Sequence, residues 1–191
     1  MARAAHQRLG LPRVDLLPAH CSPHKQELQP TSPAHRRALA DLLAQEEPWL
    51  RVDDRELRRR GISYTIDTVE EILASESSPK PRLYLVIGSD NLFELHRWHR
   101  AEELVRRVQI VTIPRLEGDV DRARTELPRV FPGPVADLLV SQILDVAPVD
   151  VSSTEVRQRV ARGRSIDDLV PESIARYIDA HALYKRQRPS D

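Results

Sequence analysis

The stretch Arg82 to Trp98 reads RLYLVIGSDNLFELHRW. Leu83-Tyr84-Leu85-Val86-Ile87 is a continuous apolar run of strand formers with no polar alternation, the pattern of a strand covered on both faces in a parallel sheet. Gly88 breaks the run, and Ser89 or Asp90 is placed to cap a helix from Asn91 to His96. In open α/β sheets, ligands gather at the carboxyl ends of strands. The peptide after Ile87 is therefore the first place to look for chemistry. Asp90 would point a carboxylate into that crevice, and Trp98 would bring a flat ring to its edge. Each residue alone has a plainer reading, a helix-capping Asp and a core Trp.

Working outward, strands and helices alternate. Ala2 to Leu9 reads as a helix ended by Gly10. Val14 to Leu17 is a strand, and the loop Ala19 to Pro30 carries HCSPHK. Ser32 caps and Pro33 opens a helix to about Gln45, with Leu39, Leu42 and Leu43 on one face. Trp49 to Val52 is a short strand, and a charged run from Asp53 to Gly61 follows. Ile66, Val69, Ile72 and Leu73 mark an amphipathic helix, and Ser75 to Pro81 reads as a polar linker.

Beyond the central stretch, Ala101 to Arg107 is helical and Val108 to Ile113 is a strand closed by Pro114-Arg115. Gly118 to Pro134, rich in Pro and charge, reads as a surface excursion. Ile143 to Val146 is a further strand, Ser152 starts a helix ending near Gly163, and the last helix runs from Pro171 to Ala182. This alternation predicts a Rossmann-like, doubly wound parallel α/β sheet. Such sheets begin with a strand that lies in their middle, whereas a helix comes first here. The expectation is one domain over 1–186 with a tail at 187–191, lacking its first central strand, whose neighbours would lose ladder partners.

With 191 residues the chain can bury a sizeable core. Lys plus Arg and Asp plus Glu number 29 each, so no net field draws nucleic acid or an anionic membrane. One Cys excludes an internal disulfide framework and fits a reducing compartment. There is no span-length apolar run, and MARAAHQRLG lacks the apolar core of a secretory signal. A cytoplasmic protein is the default, and oligomeric state is left open.

Three further motifs carry chemistry. In VSSTEVR, Ser152 and Glu155 have capping-box spacing. Ser153 and Thr154 then stand at a helix N-terminus suited to an anion, and Arg157 adds a planar fork. In HCSPHK, Cys21 and the histidines suggest zinc, but no second Cys or paired His motif follows. Contact of His24 and Lys25 with a phosphate is the better reading. In SYT, Thr65 can cap a helix whose free amides would hold a carboxylate. An ordinary cap with a surface Arg, a solvated loop and a plain helix start are the respective bland alternatives.

Together SPHK, ISYTIDTVEEI, YLVIGSDNLFELHRWH, IVTIPR and VSSTEVR, in this order and spacing, resemble bacterial nicotinate-nucleotide adenylyltransferase over nearly the whole chain. The resemblance implies a nucleotidyltransferase α/β fold. It also implies adenylyl transfer from ATP to nicotinate mononucleotide with Mg²⁺, giving nicotinate adenine dinucleotide and pyrophosphate. Tyr64 and Thr65 match the segment that holds the nicotinate carboxylate, and Trp98 matches the ring that stacks on the pyridine. His24, Lys25 and Arg115 match positions facing the mononucleotide, while Gly88 and Asp90 match the segment beside the ATP ribose. Ser152, Ser153, Thr154 and Arg157 match the motif gripping the ATP phosphates. His24, Lys25 and Arg157 are the catalytic candidates, and no protein-held metal is expected.

The family's GxFDPxHxGH motif is not among the 191 residues, and Ser22 replaces the first Pro of the usual PPHK. The expectation is impaired catalysis for the chain as it stands, with a true start roughly 20–30 residues earlier, enough for a strand and its turn. Two alternatives accompany it. One is a non-catalytic nucleotide-binding relative; the other is an adenylyltransferase for another phosphorylated substrate.

Overall fold

In a computed structural model, residues 1–21, 31–75 and 82–185 are described. The helices are α1 (Ala2–Leu9), α2 (Pro33–Glu46), α3 (Arg55–Arg59), α4 (Thr65–Ser75), α5 (Ser89–Glu94), α6 (Ala101–Arg107), α7 (Asp119–Glu126), α8 (Gly133–Ser141), α9 (Ser153–Ala161) and α10 (Glu172–Ala180). The strands are β1 (Val14–Leu16), β2 (Leu50–Val52), β3 (Tyr84–Gly88) and β4 (Gln109–Ile113). Local chemistry explains several boundaries. Gly10 ends α1 at φ 59, a left-handed turn that glycine enters without steric cost. The Ser32 hydroxyl accepts from the His35 amide at 3.3 Å, and Pro33 fills the first position of α2. Among the described residues, no helix is long and apolar enough to cross a membrane.

Among the described residues all pairing is parallel. β1 lies on β2 from Val14 opposite Leu50 to Leu16 opposite Val52. β3 lies on β4 from Tyr84 opposite Gln109 to Gly88 opposite Ile113. Single parallel bridges extend each pair, Cys21 to Ile62 and Thr112 to Ile143. The expected strand Ile143 to Val146 shrinks to that one bridge. The Val146 amide turns back onto the Leu144 carbonyl at 3.0 Å, and this tight turn takes the chain off the ladder.

Among the described residues no ladder joins the two pairs, so β1 and β3 each have one edge open. Burial follows from this. Ile110 to Ile113 of β4 are buried, whereas Tyr84, Leu85 and Val86 of β3 are only half-buried. The expectation of a strand covered on both faces therefore holds only for Ile87 and Gly88.

One apolar cluster surrounds β3 and β4 and includes Ile66, Leu92, Leu95, Leu104, Ile110 and Leu139. A second joins Val156, Ile166, Ile174 and Ile178, with Leu39, Leu42 and Leu43 of α2 packed on it. The stretch from Gly118 to Pro134 is no surface excursion. Ala123, Leu127 and Phe131 are buried at intervals of four, and α8 adds Ala136 and Leu139. Charged residues between those positions dilute the periodicity in sequence. The charged run after Asp53 also folds, as α3, with Glu56 buried and accepting from the Thr68 hydroxyl at 2.7 Å.

Candidate active site

At the exit of β3, α5 starts at Ser89, two residues before the expected Asn91. Gly88 takes the N-cap position and no side chain caps the helix. Ser89 is buried, and its hydroxyl turns instead to Asp119. Asp90 is exposed on the first turn and folds back over Gly88. A Cβ at Gly88 would lie 2.4 Å from Asp90 Oδ1 and 3.1 Å from Arg115 Nε, so only glycine admits this approach.

Arg115, two residues past β4, ties this edge to the late helix. Its Nε lies 3.4 Å from Asp90 Oδ1. Its Nη1 donates to the carbonyls of Val149 at 3.0 Å and Val151 at 2.8 Å. Val151 directly precedes Ser152, the N-cap of α9, whose hydroxyl accepts from the Glu155 amide at 3.1 Å. The other half of the expected capping box is replaced, because Glu155 Oε1 accepts from Arg159 at 2.7 Å. Ser153 and Thr154 are exposed on the first turn, and Arg157 Nη2 donates to Thr154 Oγ1 at 3.1 Å. Outward hydroxyls, helix-end amides and a guanidinium thus share one short surface, which suits an anion.

The aromatic half sits at the other end of α5. Thr65 does not cap α4: the Tyr64 carbonyl accepts from the Thr68 amide at 3.4 Å, which makes Thr65 the first helical residue. The rings of Tyr64 and His99 lie 4.4 Å apart, so the residue after Trp98 touches the start of α4. Trp98 is half-buried against the first cluster. Six α-helical and three 3₁₀ residues separate Gly88 from Trp98, an axial rise of about 15 Å.

The loop after β1 is pinned to the same place. The His20 amide donates to Ser63 Oγ at 3.0 Å, and the Ser63 amide donates to the Cys21 carbonyl at 2.8 Å. Arg36 of α2 donates to the carbonyls of Ala19, His20 and Thr31. His24 and Lys25 lie outside the described residues. Among the described residues no three His, Cys, Asp or Glu side chains are grouped to hold a metal. A cavity of about 790 Å³ lies beside the edge, lined by Pro114, Leu116, Asp137, Ile143, Asp145 and Pro148, and its lining does not include Asp90, Arg115, Ser152 or Trp98.

Sequence reading missed Arg36 and Asp119, and took Ser89 only as a helix cap. Burial alone would raise the Asp119 pKa. Hydrogen bonds from Ser89 and from the amides of Leu116 and Arg115 outweigh it and hold the carboxyl below its ordinary value.

Comparisons with known proteins give the family and the fold. The cytidylyltransferase-like family model matches residues 1–159. A probable nicotinate-nucleotide adenylyltransferase of Dehalococcoides mccartyi is 37% identical over 190 residues, covering 98% of this chain and 89% of the relative. The chain belongs to the nicotinate-nucleotide adenylyltransferase family. A second member, from Serratia proteamaculans, is 38% identical over 187 residues, covering 92% of this chain and 83% of that one. The fold matches the Plasmodium falciparum nicotinic acid mononucleotide adenylyltransferase complexed with NaAD. The TM-score is 0.64 at 16% identity, over 93% of this chain and 89% of that one. SSTEVR starts α9 beside the Arg115 link, whereas SDNLFELHRWH runs from that edge along α5 to Trp98.

Proposed function

We propose that the protein transfers the adenylyl group of ATP to nicotinate mononucleotide, releasing pyrophosphate and forming nicotinate adenine dinucleotide. The observation that carries this reading is the Arg115 guanidinium, which bridges Asp90 at the end of β3 and the Val149 and Val151 carbonyls that lead into α9. In this reading the ATP phosphates lie on the α9 start, against Ser152, Ser153, Thr154 and Arg157. The ribose side lies at Gly88 and Asp90. The pyridine ring stacks on Trp98, its carboxylate meets the amides after Tyr64 and Thr65, and His24, Lys25 and Arg115 face the mononucleotide phosphate.

A phosphate oxygen of the mononucleotide attacks the α-phosphorus in line, one P–O bond forms, and the bond to pyrophosphate breaks. No covalent enzyme intermediate is needed, so the protein contributes alignment and positive charge. Mg²⁺ usually takes one or two carboxylates plus substrate phosphates. The exposed Asp90 carboxylate fits an ion carried largely by the triphosphate. When bound, it would neutralise phosphate charge.

The same proposal takes residues 1–186 as one nucleotidyltransferase domain acting in the cytoplasm. The open edges of β1 and β3 present the backbone groups that a further parallel strand pairs with. Such a strand ending in HxGH would add two histidines at the triphosphate. Each such donor is worth about two to three orders of magnitude in rate.

The test is pyrophosphate release from ATP with nicotinate or nicotinamide mononucleotide, using the 191-residue chain and a version extended by a strand ending in HxGH. The expected result is slow release by the first, fast release by the second, and preference for the acid. No turnover by the extended protein would overturn the reaction, and preference for the amide would overturn the substrate.

A further inference from the structure

Among the described residues the reaction above leaves two buried acids unused, Glu56 and Asp119, and Asp119 is the one beside Arg115. Asp119 opens α7 and is 5% exposed. Its Oδ2 accepts from the Ser89 hydroxyl, from the Arg115 amide at 2.9 Å and from the Leu116 amide at 2.8 Å. The Arg115 amide also donates to Ser89 Oγ at 2.9 Å. Ser89 is the first residue after β3, and Arg115 the second after β4. One carboxylate therefore joins the exits of two neighbouring parallel strands.

Burying a carboxylate carries a desolvation cost that several hydrogen bonds must offset. The three donors here are not spread through a core. Two are consecutive amides, one of them belonging to the residue whose guanidinium spans Asp90, Val149 and Val151. The third is the residue between Gly88 and Asp90. Gly88 lets the two side chains close over it, since a methyl group there would meet both Asp90 and Arg115. A shift of the Arg115 backbone by a fraction of an ångström would change every contact its side chain makes.

We propose that Asp119 is a positioning residue that sets where the Arg115 guanidinium stands, and so how tightly the edge holds a nucleotide phosphate. The ligand half rests on the proposed adenylyltransferase site; the positioning half does not. Asp119 touches no substrate and acts only through Arg115 and Ser89. All three donors converge on one carboxylate oxygen, and an Asn carbonyl in its place would accept from them only as a neutral group, without the charge that strengthens each bond.

The experiment uses the full chain with Asp119→Asn, Ser89→Ala, Arg115→Ala and the Asp119→Asn/Arg115→Ala double variant. Asp121→Asn, an exposed acid two residues along α7, is the control. Two quantities are read: amide hydrogen exchange at Arg115 and Leu116, and the dissociation constant of ATP by titration calorimetry. Asp119→Asn is expected to speed exchange at both amides about tenfold or more, the size of a lost charge-assisted hydrogen bond. It should weaken ATP by a similar factor, yet add little once Arg115 is already Ala. Ser89→Ala, which leaves the carboxylate and both amides in place, should show a smaller change in the same direction. Asp121→Asn should change neither.

Unaltered exchange at Arg115 and Leu116 in Asp119→Asn would overturn the positioning role. Fully additive losses in the double variant would show Asp119 acting on stability alone, and would overturn it too. If the unsubstituted chain binds no ATP, the adenylyltransferase reading fails while exchange still decides the positioning. If Asp119→Asn does not fold, Ser89→Ala decides, and unchanged exchange there counts against the proposal.

Discussion

Arg115 Nε stands 3.4 Å from Asp90 Oδ1, over the Cα of Gly88. The pair joins the ends of two parallel strands at the point where a doubly wound sheet binds ligands. It is half-exposed, so solvent screens the ion pair and its value to stability is small. Its value is geometric: it keeps a guanidinium at the edge, aimed between β3 and the start of α9.

Gly88→Ala separates these roles. The new methyl group meets the far end of the Asp90 side chain and the Arg115 stem rather than backbone, so both side chains can swing away. The fold should lose only about 1 kcal/mol, a typical value for one substitution. ATP should bind about tenfold more weakly, because the Asp90–Arg115 contact cannot survive. Thermal melting beside ATP titration checks both parts.

The first turn of α9 gives a second contrast. Ser152→Ala removes a hydroxyl that accepts from the Glu155 amide and should cost about 1 kcal/mol. For a chain of this size that lowers Tm by about 2–4 °C. Ser153 and Thr154 are exposed, and neither is the N-cap. Replacing both with Ala should leave Tm nearly unchanged while weakening ATP binding, and equal binding would remove the anion site from this helix.

Trp98 serves the core and, in the proposed reading, the pyridine ring. Half-buried against the first cluster, it should cost about 2 kcal/mol on Trp98→Ala, less than a fully buried aromatic. Stacking adds about 0.5–1.5 kcal/mol, so nicotinate mononucleotide should bind up to about tenfold more weakly. Trp98→Phe should recover much of both. A calorimetric titration with the mononucleotide checks this, and unchanged affinity in Trp98→Ala would move the pyridine elsewhere.

What could be read from sequence was what is encoded locally. Gly10, Ser32 and Ser152 mark helix ends through interactions spanning at most five residues, and the apolar runs of β3 and β4 are contiguous. α7 and α8 were not readable, because Ala123, Leu127 and Phe131 are isolated among charges and prolines. The motif residues at Gly88, Asp90 and Ser152 to Arg157 could be named because each block is short. That Arg115 connects them could not, since its partners are 25 to 36 residues away. Arg36 and Asp119 share that difficulty in part, through Ala19 and His20 for the first and Ser89, 30 residues away, for the second. Before folding, a buried Asp at a helix start looks like any capping acid.

Acid should release the Asp119 link. The carboxyl is held below its ordinary value: burial opposes this, while Ser89, the amides of Leu116 and Arg115, and the nearby Arg122 guanidinium favour the charged form. A depressed folded-state pKa means that ionised Asp119 contributes stability above the unfolded value, near pH 4, and that this contribution fades as pH falls through the lower folded value. Protonation removes the charge that strengthens all three bonds to Oδ2, so the joined strand exits should loosen. Melting temperature measured from pH 7 downward should therefore fall below about pH 4 more steeply in the unsubstituted chain than in Asp119→Asn, which has no proton to take up. The two curves should converge at the acid end. Parallel curves would mean that Asp119 titrates alike in the folded and unfolded chain, and that its three hydrogen bonds do not favour its charge.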